Sequence, residues 1–95
     1  MGQQEEPMPT TEEILNERIK VHGDFTDHAR ITQSLKDQMQ QGAVSWNKLT
    51  AIQKEALEMI QHKIGRILAG NPNHKDHWDD IAGYAKLVAN RVKDD

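Results

Sequence analysis

The chain contains no cysteine. That excludes a disulfide framework and a thiolate zinc site, and it agrees with a reducing, cytoplasmic setting. Aromatic residues are scarce, with one Phe, one Tyr and two Trp, and apolar residues reach only 36%. A 95-residue chain is one domain, and at this size and composition it builds a modest core, so pairing into a homo-oligomer is expected. No stretch approaches the roughly 18 apolar residues of a membrane span, and the start, MGQQEEPMP, lacks a signal-peptide run. Met1-Gly2 opens like a myristoylation signal, but Glu6 stands where Ser or Thr is required. A basic excess is also missing. Twelve Lys and Arg face fifteen Asp and Glu, for a net charge of −3, and the charges are interspersed. Phosphate neutralisation along a duplex needs clustered cations, so nucleic acid is not an expected partner, and neither is a membrane.

What remains is helical punctuation. Residues 1–9 are polar with two prolines and read as a flexible tail before one domain over 10–93. Thr10 with Glu13 forms a capping box for a first helix with Ile14, Leu15, Ile19 and Val21 on its apolar side, stopped by Gly23. Thr26 is the expected N-cap of a second helix, carrying Ala29, Ile31, Leu35 and Met39 and ending near Gly42. A connector holding Trp46 leads to a second capping box, Thr50 with Gln53. The third helix repeats Ile52, Ala56, Met59, Ile60, Ile64 and Ile67 at three- and four-residue steps until Gly70-Asn71-Pro72. Asn73 is the expected cap of a fourth helix with the stripe Trp78, Ile81, Ala82, Ala85, Val88, Ala89 and Val92. No strand pattern appears. The fold class is all-α, three to four helices, with the last two an antiparallel hairpin because their link is short.

A helical wheel places several polar groups beside the apolar arcs. Lys63 falls inside the arc of the third helix, with Glu55, His62 and Arg66 at its border and Glu58 slightly beyond. On the fourth helix Asp76, Asp80 and Tyr84 follow one another by single turns, and His77 lies at the margin. An antiparallel hairpin can face Glu55 and Glu58 toward Asp76 and Asp80. Four convergent carboxylates repel unless a cation sits among them, and hard oxygen ligands suit Mg²⁺. Lys63 and Arg66 are then placed to meet phosphate oxygens. The competing reading is a solvated face laced by four-residue charge pairs, with Lys63 snorkelling outward. His62, His74 and His77 lack a further fixed ligand for zinc. Gly83 inside the fourth helix marks either a close helix approach or room for a ligand.

Two runs carry a resemblance: Glu55-Ala-Leu-Glu58-Met-Ile-Gln-His62-Lys63-Ile-Gly-Arg66-Ile-Leu and Asp76-His-Trp-Asp-Asp80-Ile-Ala-Gly-Tyr84-Ala. With Ile14-Leu-Asn-Glu-Arg18-Ile-Lys-Val-His22-Gly23-Asp24-Phe25, they resemble a family of small phage and prophage domains over residues 12–92. That family implies no particular activity. More distantly, the last two helices are similar to all-α nucleoside triphosphate pyrophosphohydrolases of the MazG type. The resemblance implies Mg²⁺ held by Glu-x-x-Glu on one helix and Glu-x-x-Asp on the next. Glu55-x-x-Glu58 matches the first half, whereas the second is either Asp76-x-x-Asp79 or His77-x-x-Asp80, each departing from the pattern. The chain also resembles phage domains that accompany nucleotide modification, which implies that His22-Gly23-Asp24-Phe25 is a loop near a nucleotide.

The leading expectation is a phage-type nucleotide-binding domain, with Mg²⁺-dependent pyrophosphohydrolysis as its enzymatic form. Glu55, Glu58, Asp76 and Asp80 would hold metal. Glu55, Lys63 and Asp80 would serve catalysis, and His22, Asp24, Lys63, Arg66 and Tyr84 would contact the nucleotide. The second reading is a non-catalytic phage accessory protein that binds a host protein, or sequesters a nucleotide signal, to counter host defence. The third is a structural, regulatory or DNA-binding helical module.

Overall fold

The computed structural model describes residues 8–94 and is all-helical, with four α-helices and no strand among those residues. Most of the expected flexible tail, residues 1–7, lies outside the described residues.

Helix α1 spans Thr11–His22, and its capping box forms as expected. Glu13 N–H donates to Thr10 Oγ1 (3.1 Å), and Thr10 N–H donates to Glu13 Oε2 (3.3 Å). Helix α2 spans Phe25–Gln40. Its cap is Asp24 instead of Thr26: Asp24 Oδ1 accepts from Thr26 N–H at 3.3 Å, so the helix starts as soon as Gly23 has turned the chain. A short 3₁₀ turn, Trp46–Lys48, follows. Helix α3 spans Ala51–Ala69 behind the Thr50–Gln53 capping box. Helix α4 spans Lys75–Ala89, with His74, not Asn73, at its N-cap.

α3 lies between α2 and α4, and the end of α1 reaches α2, α3 and, through Val21 and His22, His77 of α4. The expected hairpin forms. The start of α3 (Thr50, Ile52, Gln53) lies by the end of α4 (Val88, Arg91, Val92), so α3 and α4 run antiparallel. Three close backbone approaches fix this arrangement. A Cβ on Gly65 would stand 2.5 Å from Thr32 Cγ2, so α2 and α3 cross where α3 has no side chain. Gly23 (φ 84°) and Gly70 pack the α1–α2 turn against the end of α3, and Asn71 N–H donates to the Val21 carbonyl at 3.1 Å. Gly83 has nothing within 4 Å of its would-be Cβ, so of its two expected meanings the close helix approach is not the one realised.

The core departs from the expected stripes. Among the described residues Ala56 is the one buried apolar side chain, while Thr32, Gln61 and His77 are buried polar ones. α3 is flanked on two sides, so Gln61 and Gly65 turn inward toward α2, where Gln61 Nε2 donates to the Thr32 carbonyl at 3.0 Å. α4 is rotated from its expected stripe. His77 is buried, and Asp80, Ile81, Tyr84 and Val88 are half-buried, whereas Trp78, Ala82, Ala85, Ala89 and Val92 are exposed. The physical cause is polar pairing. Lys63 on α3 keeps only 12% of its side chain exposed and needs a counter-charge, which Asp80 supplies at 2.8 Å. The Trp78 indole N–H is drawn to the Pro72 carbonyl at 2.8 Å.

Candidate functional site

Arg66, one turn from the end of α3, sits where all the α-helices meet. Around it gather the chain's histidines. His22 and His77 rings lie 5.1 Å apart, His74 and His77 4.6 Å, and His28 and His62 stack at 5.8 Å. His77 Nε2 carries its proton, because it approaches the Val21 carbonyl (3.3 Å), which can only accept. His22 Nδ1, 3.4 Å from the same nitrogen, is then the acceptor, and the His22 proton resides on Nε2.

Burial and neighbouring cations lower His22, His28, His62 and His77 from the ordinary imidazole value. His22 is lowered from 6.5 to about 4, by burial first and then by Arg66, His77, Arg18 and His74. Burial followed by Arg66 and His62 lowers His28. His62 is lowered by burial, Lys36 and Arg66 against the opposing pull of Glu58 and Glu55. His77 is lowered by burial, although its bond to Val21 pulls the other way. Desolvation and like charge both disfavour a second cation here, so the positive charge stays on the guanidiniums.

A cleft of about 340 Å³ opens beside this cluster, between α1 and α2. Leu15, Arg18, Ile19, His22, Gly23 and Asp24 line it together with Phe25, His28 and Arg66. No described carboxylate lies within 4 Å of either guanidinium. Asp24 is engaged as the α2 cap. Phe25 is 79% exposed at the cleft edge, and Leu15 and Ile19 supply an apolar wall. The arrangement combines fixed cations, an accessible aromatic face and hydrogen-bonding imidazoles, which are the elements that take up a phosphorylated ring compound.

The expected site residues divide among three places. His22, Asp24 and Arg66 share the cleft. Tyr84 and Asp80 line a shallow hollow of about 450 Å³ on α4 with Asp79, Gly83, Lys86 and Leu87. Lys63 is committed to Asp80, whose carboxyl it holds below the usual range mainly through that hydrogen bond. The expected metal ligands do not form one set. Asp76 is exposed beside His74 (3.8 Å), and Asp80 faces Lys63. Glu55 and Glu58 act on His62. Among the described residues no group of three or more His, Asp or Glu is placed to hold a metal ion. Among the described residues of one chain, Glu55, Glu58, Asp76 and Asp80 therefore do not form the expected Mg²⁺ centre.

Sequence reasoning passed over Arg18 and His28 and placed Phe25 only within the loop that the resemblance puts near a nucleotide. A signal for Arg18 was present: it sits between Ile14 and Leu15 on the wheel, a cation in the middle of the α1 apolar arc.

The class defined here is a small all-helical domain with a cationic cleft at its helix junction. The chain belongs to the family described as a domain of unknown function, DUF6378, whose pattern matches residues 8–92. No curated protein and no solved structure matches it. No helix among the described residues is long and apolar enough to cross a membrane.

Proposed function

We propose that this domain binds a phosphorylated, nucleotide-like ligand in the cleft between α1 and α2. The observation that carries the reading is the pair Arg18 and Arg66, two guanidiniums lining one cleft with no described carboxylate to neutralise them. They would take the phosphate bidentately, while Phe25 stacks on the base and His22 offers its Nε2 proton to base or sugar. The resemblance of His22-Gly23-Asp24-Phe25 to a nucleotide-adjacent loop of phage domains supports the same place. Sequestering a nucleotide signal needs no more than this binding. Pyrophosphohydrolysis needs metal-holding carboxylates, which the described residues of one chain do not gather.

Thermal melting against a panel of nucleoside mono-, di- and triphosphates, with and without Mg²⁺, tests the proposal. A ligand at 100 times its Kd stabilises the native state by about 2.7 kcal/mol. In a domain this size that raises Tm by roughly 10–20 °C. Arg18→Ala lies on exposed α1 surface and should abolish the shift without changing the unliganded Tm. A flat melt across the whole panel, or an undiminished shift in Arg18→Ala, refutes the assignment.

A further inference from the structure

The described helices form a single layer, α2–α3–α4, with α1 at one end. Stable domains bury apolar faces between at least two layers, and here Ala56 is the one apolar side chain that is buried. The accessible surface confirms the shortfall. At 10.8 kDa a folded monomer exposes about 5,500 Å². This chain exposes 7706 Å². Granting the eight residues outside the described range the full exposure of an unfolded chain removes at most about 1,300 Å². About 800 Å² of excess surface remains, which is the area each partner contributes to a standard stable interface.

Exposed apolar surface is spread over several elements, Ile14, Leu15 and Ile19 of α1 among them, and α4 carries it as one continuous stripe. Trp78, Ala82, Ala85, Ala89 and Val92 follow one another at steps of four, three, four and three, and all five are exposed. Val92 N–H still donates to the Val88 carbonyl (3.0 Å), so the last turn carries the stripe to its end. This is the spacing of a helix–helix seam, uncharged along its length. The three alanines at its centre allow close approach by another helix, and the larger Trp78 and Val92 close the ends. A face that is apolar and repeated at seven-residue intervals matches a second helix of the same spacing, and the chain itself supplies one.

We propose that a second copy of this chain covers the α4 seam, α4 against α4 across a two-fold axis, and so provides the missing second layer. The position fits the cleft reading without depending on it, since Arg18, Phe25 and Arg66 lie elsewhere.

Sedimentation equilibrium of the full chain should return twice 10.8 kDa. Ala85→Glu, which places two carboxylates at the axis, should return 10.8 kDa with helical circular dichroism retained. Leu87→Glu, on the opposite side of α4, should leave the doubled mass. A wild-type mass of 10.8 kDa would overturn the proposal and leave the seam to a different partner. Doubled mass in Ala85→Glu would overturn it as well. Cysteine cross-linking gives a readout independent of that variant's folding, because the chain has no native cysteine. Under mild oxidation Ala85→Cys should run as a covalent dimer on a non-reducing gel and Leu87→Cys should not. Equal cross-linking at both positions, or none at position 85, refutes the seam.

Discussion

Two glycines in the middle of helices offer a matched test of the packing. Gly→Ala in a helix interior gains about 1 kcal/mol of propensity. At Gly83 nothing lies within 4 Å of the new Cβ, so Gly83→Ala should keep the full gain and raise Tm by roughly 4–8 °C. At Gly65 the same methyl meets Thr32 Cγ2 at 2.5 Å and His28 Nδ1 at 3.1 Å. Thr32 cannot swing away cheaply. It is 2% exposed, and its hydroxyl donates to the His28 carbonyl at 2.9 Å and the Ala29 carbonyl at 3.2 Å. Overpacking of this kind costs about 1–3 kcal/mol. Gly65→Ala should thus lose its propensity gain and lie about 1–3 kcal/mol below Gly83→Ala in chemical denaturation. Thr32→Ser removes the Cγ2 methyl and keeps the hydroxyl, so it should restore most of the difference when combined with Gly65→Ala. A double-mutant cycle reads that coupling directly, with about 0.5–3 kcal/mol expected for residues in contact. Equal stability of the two glycine variants, or a coupling of zero, would refute the α2–α3 crossing described above.

Other outcomes follow from the polar groups. His22 is neutral in the folded chain down to about 4, while unfolded His takes a proton near 6.5, so its stabilising contribution is complete above pH 6.5 and is lost as pH falls toward 4. The full shift corresponds to a ceiling of about 3 kcal/mol, and solvent screening at this partly exposed ring reduces it to about 1 kcal/mol. Melts of wild type and His22→Phe across that window should converge at low pH; parallel curves would contradict the assignment. An anion in the cleft favours the charged imidazolium, so phosphate affinity should rise as pH falls toward about 4, where the folded His22 takes its proton, and a pH-independent Kd in calorimetry would count against it. Gln61→Met deletes one hydrogen bond but also the buried, unpartnered Oε1, so stability by urea denaturation should stay within about 1 kcal/mol of wild type. Asp80→Asn strips the counter-charge from nearly buried Lys63 and should destabilise more than Lys63→Met, which removes the charge itself. The reverse order in the same denaturation experiment would show the pair to be incidental.

The helices and most of their ends were legible in the sequence because they are local. Thr10 with Glu13, Thr50 with Gln53, and the stops at Gly23 and Gly70 satisfy backbone groups within a few residues of themselves. His22 and Asp24 were grouped with Arg66 through the resemblance alone, and no local pattern placed the three in one cleft. Which face of α4 turns inward could not be read that way. Hydropathy chose Trp78, Ala82 and Ala85, but Lys63 on the facing helix required Asp80, and pairing a poorly solvated ammonium outweighs burying alanine methyls. The carboxylates expected to share a metal were separated for the same reason, each drawn to a nearer partner or to solvent. Arg18 and Phe25 joined Arg66 only because Gly23 and Gly70 let two stretches of backbone touch, a contact between positions 47 residues apart that no local pattern encodes.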